Sequence, residues 1–339
     1  DRRLLACTGT ESAGLSPVCR EPQLEPRDPA VRVESRAACR LPGPRESSLS
    51  SQTRALPDRS LAERLNFLLT NRLPRRWLTL FMGRFSRIEN PLVRWLSIRT
   101  WQLFVDDLRL FEAKKHSFTS MHDCFVRELK DGARPIDPDP LALVSPCDAV
   151  VGESGCVRHG QVLQAKGFPY TLEELFGNQH EARRSEGMCY VTLRLKSSMY
   201  HRFHAPCDAE MTDLTYISGD TWNVNPVALK TVERLFCRNE RAVIRLRSIP
   251  DAQPLTIVAV AAILVASMRI RGVGEHLNLE YAGPKRIRCR QRLQRGEEIG
   301  YFELGSTLVV FVPPGYELAA GITTGSTIRM GQRLFVPDS

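Results

Sequence analysis

From Met121 onward the chain consists of short runs rich in Val, Ile, Thr and aromatic residues, each cut by Gly, Pro or Asp. Leu141–Val144, Gly187–Leu195, Thr212–Ile217, Ala242–Leu246, Thr256–Val260 and Thr307–Val312 are the clearest. Runs of this length and composition, bounded by turn residues, pair into sheets. Pro169–Phe176 and Pro226–Phe236 lie between them and predict short helices. The longest apolar stretch, Leu255–Met268, falls short of the ~18 residues that span a bilayer and reads as buried strands. The expected fold class is therefore α+β: a mainly β catalytic core over residues 113–339, preceded by N-terminal amphipathic membrane-binding helices.

The segments before the core differ in texture. Residues 1–58 are rich in Arg, Ser, Pro and Glu, lack Lys, and sustain no helical or strand period. They predict a disordered leader, and eight acidic residues argue against a mitochondrial transit peptide. Residues 59–112 predict helices, with Leu61, Leu65, Leu68 and Leu69 at helical spacing. Between Arg72 and Trp101 stand seven Arg and three Trp against one acidic residue, Glu89. Guanidinium groups interleaved with Trp, Phe and Leu suit a helix lying in a membrane interface, where rings enter the headgroup boundary and arginines meet lipid phosphates. Arg75, Arg76, Trp77, Arg84, Arg87 and Trp95 are the expected membrane-contacting residues. A basic helical hairpin packed on its own core is the alternative. The net charge of +9 favours an anionic partner. No nucleic-acid recognition motif accompanies it, so an anionic membrane surface is expected and nucleic acid is not. Ten cysteines without a CxxC spacing in a chain of this length indicate reduced thiols.

Three segments carry candidate chemistry. Leu304-Gly305-Ser306-Thr307 follows a charged turn and opens an apolar run. A Gly-Ser bond in a tight turn is a place where a serine hydroxyl can attack its own backbone carbonyl, and Gly305 leaves that carbonyl open. The tripeptide alone is weak evidence, since Gly325-Ser326-Thr327 repeats it. Its weight comes from Tyr200-His201-Arg202-Phe203-His204 and Ser145-Pro146-Cys147-Asp148. A serine needs a base to become a nucleophile, and His201 or His204 offers one. In a straight strand these two histidines would face opposite sides, so one shared pocket requires a bend. Asp148 is either a turn cap or an acid that orients a histidine. His201, His204 and Cys207 have an H-x2-H-x2-C spacing that zinc accepts, but no second cluster accompanies them and no metal is expected.

Taken in order, these segments resemble the phosphatidylserine decarboxylase family. The resemblance runs from about Leu61 to Val336. It includes Phe125–Asp137 with Arg127 and Arg134, Ser145–Asp148, Tyr200–Pro206, Val224-Asn225, Leu235–Arg241, and Gly296–Thr307. The resemblance implies a cofactor made from the chain itself. Ser306 Oγ attacks the Gly305 carbonyl, the peptide becomes an ester, elimination cuts the chain, and hydrolysis leaves a pyruvoyl group at residue 306. By the family pattern, Asp148, His204 and Ser306 form the self-cleavage triad, and His201 serves in decarboxylation. The ketone condenses with the serine amine of phosphatidylserine and accepts the electrons left by CO2; His201, once protonated, returns a proton, and phosphatidylethanolamine is released.

The family usually has Ala before and Gly after the aspartate; here Cys147 and Ala149 stand there, and Ala149 disfavours positive φ. Cys147 reads as a small buried hydrophobe. The resemblance further implies a zymogen whose two fragments stay associated, with a homodimer possible. The expected location is peripheral, at a bacterial inner membrane facing the cytoplasm, with a mitochondrial inner membrane as the alternative because the leader is ambiguous. Two rival functions remain at this stage. One is a serine hydrolase with an uncut chain, which lacks the G-x-S-x-G elbow; the other is a non-catalytic membrane-binding β protein.

Overall fold

The computed structural model describes residues 75–338 except 106, 165–167, 264–266, 275 and 304–305, with Arg75 described by its backbone only. The expected leader over 1–58, and the leucines at 61, 65, 68 and 69, lie outside the described residues. Two helices come first, α1 (Arg75–Phe85) and α2 (Pro91–Phe104). Asn90 starts α2 by accepting the Leu92 and Val93 amides at 3.0 and 3.3 Å, while Pro91 occupies the first turn, where its missing N–H is not needed. One side of α2 is seated by Trp101, whose ring lies 5.7 Å from that of Phe125 in a cluster with Leu108, Ala113 and Phe118. Leu92, Trp95, Leu96, Leu103 and Phe104 are left exposed, as are Trp77 and Phe81 on α1. Among the described residues no helix is long and apolar enough to cross a membrane.

Five short helices follow: α3 (Met121–Phe125), α4 (Leu172–Phe176), α5 (Gln179–Arg184), α6 (Pro226–Leu229) and α7 (Leu235–Arg238). The strands, in chain order, are β1 (Leu143–Val144), β2 (Ala149–Cys156), β3 (Gln161–Leu163), β4 (Pro169–Thr171), β5 (Cys189–Leu195), β6 (Arg202–His204), β7 (Ala209–Ile217), β8 (Arg241–Ser248), β9 (Pro254–Ala261), β10 (Met268–Ile270), β11 (His276–Leu277), β12 (Arg286–Leu293), β13 (Glu298–Phe302), β14 (Ser306–Val312), β15 (Tyr316–Leu318), β16 (Thr327–Ile328) and β17 (Arg333–Pro337). An antiparallel eight-stranded sheet has the order β12-β7-β8-β9-β14-β5-β2-β16, and a four-stranded sheet the order β11-β10-β13-β6.

The apolar run of β14 is explained by its place. It pairs with β5 on one side and β9 on the other, and its two faces enter different cores. Leu308, Val310 and Val312 join Leu193, Ile257 and Phe302, while Val309 and Phe311 join Phe176, Val258 and Phe236. A strand buried on both faces has no polar side, so it reads as a continuous apolar segment instead of an alternating one.

The mainly β core is as the sequence predicts, and each of the six clearest runs contains a strand. The two predicted helices differ in detail. Pro169–Thr171 forms strand β4 against β3, so the helix starts only at Leu172. Pro226–Phe236 is broken because the Gln164 amide takes the Leu229 and Val232 carbonyls at 2.9 and 2.8 Å, its oxygen accepts from Leu235 N, and Arg234 adopts a left-handed φ of 54°. A distant side chain thus replaces helical bonds that local propensity would have made.

Candidate active site

The chain leaves the four-stranded sheet at Phe302, at the end of β13, and enters the centre of the eight-stranded sheet at Ser306, the first residue of β14. Leu304 and Gly305, the latter half of the expected cleavage site, lie outside the described residues. Ser306 is paired in register with Leu195 and Ala261 and is completely buried. Among the described residues its hydroxyl has no hydrogen-bond partner, and the neighbouring hydroxyls of Thr307 on β14 and Thr192 on β5 also lack one. An unpaired buried hydroxyl costs on the order of 1–3 kcal/mol, and such orphans call for a reason.

The two histidines approach this corner through β6. The His201 carbonyl accepts the Phe302 amide at 3.0 Å, which ties the start of β6 to the end of β13 four residues before Ser306. The bend needed near the histidine pair is supplied by the partner strand: the register slips between Glu298 and Gly300, so that His204 faces Glu298 and Phe203 faces Gly300. Gly300 is required there, because a Cβ would sit 2.2 Å from the Arg269 carbonyl oxygen.

His201 is wholly buried, with its ring 4.0 Å from that of Phe125. Its Nδ1 lies 2.8 Å from the Met199 carbonyl oxygen, which can only accept, so Nδ1 carries the hydrogen and Nε2 is a bare lone pair. That Nε2 is buried and has no hydrogen-bond partner among the described residues. Burial pushes the pKa of His201 down to about 3, opposed by the Met199 bond and aided by the Arg127 charge. His204 has the same tautomer: Nδ1 donates to the Gly296 carbonyl at 2.9 Å, and Nε2 accepts from the Tyr200 hydroxyl at 3.1 Å. Gly296 presents that carbonyl from a left-handed turn with φ 82°, a conformation glycine adopts freely. Burial lowers the His204 pKa, while the Gly296 bond and the charges of Glu298 and Asp148 oppose the shift. Both imidazoles are therefore neutral bases near pH 7.

Asp148 is buried close by but is not hydrogen-bonded to either histidine. Arg134 grips it through Nε and Nη2 at 2.6–3.1 Å, and the Met330 amide donates to Oδ1 at 2.9 Å. Arg134 is shared with Glu112 at 2.8 Å. The departures flanking Asp148 are accommodated: Cys147 is fully buried, with its thiol raised well above the usual range by desolvation, and Ala149 opens β2 opposite Ile328, where no positive φ is needed.

The sequence reading gave no role to three groups, of which Tyr200 and Arg134 stand within its motifs. Tyr200 occupies the base atom of His204. Arg134 holds Asp148. Glu303, three residues before Ser306, is 1% exposed and gathers Arg87 Nη2 at 2.7 Å, Ser267 Oγ at 2.5 Å and His276 Nε2 at 2.9 Å, with His122 and Arg269 at 3.4 and 3.6 Å. A lone carboxylate between Phe302 and Leu304, at the end of an apolar strand, was the available signal. Of the expected membrane contacts, Arg76, Trp77, Arg84, Arg87 and Trp95 are exposed, although Arg87 also turns its guanidinium to Glu303, and the Arg75 side chain lies outside the described residues.

Comparison with known proteins adds an independent finding. Residues 121–336 match the family described as phosphatidylserine decarboxylase. The chain is 34% identical over 286 residues to the phosphatidylserine decarboxylase proenzyme of Dickeya dadantii, covering 81% of this chain and 93% of that protein. It is 31% identical over 270 residues to that of Brevibacillus brevis, covering 78% and 95%. It is 32% identical over 288 residues to that of Hahella chejuensis, covering 81% and 94%.

Proposed function

The chain belongs to the phosphatidylserine decarboxylase family, and from that premise we propose that it cuts itself between Gly305 and Ser306 and then converts phosphatidylserine to phosphatidylethanolamine and CO2. The observation that carries this reading is the Ser306 hydroxyl, wholly buried at the head of the central strand and without a hydrogen-bond partner among the described residues. An orphaned polar atom walled by apolar strands suits a residue whose side chain is to be consumed, and the dry surroundings suit the pyruvoyl group that would replace it.

In the cleavage step His204 Nε2 gives up its hydrogen bond from the Tyr200 hydroxyl and takes the Ser306 Oγ proton. Oγ adds to the Gly305 carbonyl carbon and the C–N bond breaks, which turns the peptide into an ester. Loss of the residue 306 α-proton then breaks the Cβ–O bond, leaving a carboxylate on Gly305. Hydrolysis of the resulting dehydroalanine releases ammonia and leaves a ketone. Asp148 supports His204 through its field, since its charge raises the basicity that burial lowers.

The pyruvoyl ketone supplies an electron sink for the substrate's amine. His201 is positioned for proton transfer. Because burial keeps its ring neutral, with Nε2 bare, it must first accept a proton before it returns one to the carbon that loses CO2.

The fragments are expected to stay together. After the cut β14 would still pair with β5 and β9, β16 with β2 and β17 with β1, with Leu308 to Val312 inside both cores. Exposed Trp77, Phe81, Trp95, Leu103 and Phe104 beside Arg76 and Arg84 support peripheral docking on an anionic membrane. A bacterial inner membrane is the first choice and a mitochondrial one the second.

The test is a denaturing gel with intact mass on freshly purified full-length protein. The expected result is a small fragment comprising residues 306–339, 34 in all, with a hydrazine-reactive end. A single intact polypeptide without such an end overturns the proposal.

A further inference from the structure

A cavity of about 160 Å³ is lined in part by Asp148, Met199 and Tyr200. Five basic side chains and three carboxylates are among its described lining residues. Two of the carboxylates are already committed, since Arg134 binds both Asp148 and Glu112 and Arg109 also pairs with Glu112. Arg127 is different. It is 5% exposed, and its guanidinium donates only to carbonyls, those of Leu108, Cys124, Ser198 and Met199 at 2.9–3.4 Å. Among the described residues its Nε has no hydrogen-bond partner and no carboxylate forms an ion pair with it, although the charges of Asp148 and Glu112 act on it from further off and are themselves held by Arg134. A buried guanidinium with no direct ion pair is costly, and an anion entering from the cavity relieves that cost. Arg329 stands exposed at the rim.

The cavity also touches the histidine pair. The Met199 carbonyl on its wall accepts from both Arg127 and His201 Nδ1, and the Tyr200 side chain on the same wall donates to His204 Nε2. An anion held here therefore lies one residue away from each imidazole. In a phosphoserine headgroup only a short carbon link separates the phosphate from the amine and carboxylate, so anchoring the phosphate beside the histidines presents the reacting carbon to them.

We propose that this cavity binds a phosphate group, the phosphodiester of the lipid headgroup, with Arg127 and Arg329 as its principal ligands; the assignment to a lipid rests on the decarboxylase reading above. Guanidinium forks match phosphate oxygens in pairs, which suits a phosphodiester better than a lone carboxylate oxygen.

The test is thermal melting of the full-length protein at fixed ionic strength, with glycerophosphoserine in one arm and inorganic phosphate in the other. Glycerophosphoserine is expected to raise Tm and to bind more tightly than inorganic phosphate. Arg329→Gln is expected to weaken it about tenfold, the share of one charge-assisted contact. Arg127→Lys, which keeps the charge and loses the fork, should act in the same direction, whereas Arg290→Gln on β12 should leave the shift unchanged. In turnover assays Arg329→Gln should raise KM about tenfold. No Tm response to either compound, or an undiminished response in Arg329→Gln, overturns the proposal. Inorganic phosphate binding as tightly as glycerophosphoserine would assign the cavity to a free anion and overturn the headgroup assignment. Melting requires no turnover, so this outcome is read separately from whether the chain is cut.

Discussion

Replacing Glu303 by alanine removes an acceptor on which four other segments converge: the turn after α1 through Arg87, α3 through His122, the β10 strand through Ser267 and Arg269, and β11 through His276. Breaking a buried ion pair by deleting one partner costs about 3–5 kcal/mol. Arg87 and Arg269 keep side-chain exposures of 45% and 46% and regain water readily, which favours the lower end. The expected loss is about 3 kcal/mol for Glu303→Ala and about 2 kcal/mol for Glu303→Gln, which retains one acceptor oxygen. The assay is urea unfolding in the Ser306→Ala background, where reference and variant are both single chains. With a slope of about 3 kcal/mol/M, the Glu303→Ala midpoint falls by about 1 M. The pH dependence has a definite sign. Burial alone would raise the Glu303 carboxyl, but the His122, His276 and Ser267 interactions outweigh it and hold the group well below the usual carboxylate range. Stability from such a depressed carboxylate is full above the unfolded value of about 4.3 and is lost as pH falls below it. The gap between reference and Glu303→Gln should therefore be complete at pH 7 and narrow only below about pH 4.3. A gap under about 0.5 kcal/mol at pH 7, or one that widens on acidification, refutes the reasoning.

Four further outcomes are expected. His204→Ala should remain full-length on a denaturing gel, while His201→Ala is cut but releases no CO2; normal cutting in both would overturn the division of roles. Tyr200→Phe frees His204 Nε2 from its hydroxyl donor and should speed self-cleavage at a stability cost of about 1 kcal/mol; slower cleavage would show that the hydroxyl relays the proton instead. Because burial lowers the His204 pKa and the neutral ring is the base, the cleavage rate should rise with pH to a plateau whose midpoint lies below the ordinary value of about 6.5; a midpoint above 7 contradicts this. Trp77→Ala combined with Phe104→Ser removes two side chains that are 77% and 83% exposed, and should cut co-sedimentation with anionic vesicles at least tenfold while leaving the urea midpoint within experimental error; unchanged co-sedimentation would remove these helices from the membrane face.

The segments with one dominant environment were the most legible. The continuous apolar character of Leu308–Val312 follows from burial on both faces, whereas the Trp and Arg texture of α2 did not show that Trp101 would pack on Phe125. Pro226–Phe236 was not legible, because the break in that helix is made by Gln164, roughly seventy positions away at Leu235. The candidate site divides in the same way. Ser306, His201, His204 and Asp148 could be named from local motifs, but their partners could not.

By itself the sequence determined a mainly β core, basic aromatic helices ahead of it, and a family motif set whose residue types carry the chemistry. The tertiary structure alone decided that Arg134 holds Asp148, that Tyr200 occupies the base atom of His204, that Glu303 is encircled by cations and hydroxyl, and that the Arg127 guanidinium is held by backbone carbonyls. The physical reason is range. Strand and helix preference is set by neighbours a few residues apart, whereas the partner of a buried charge is chosen by sheet register and packing between segments tens to hundreds of residues apart.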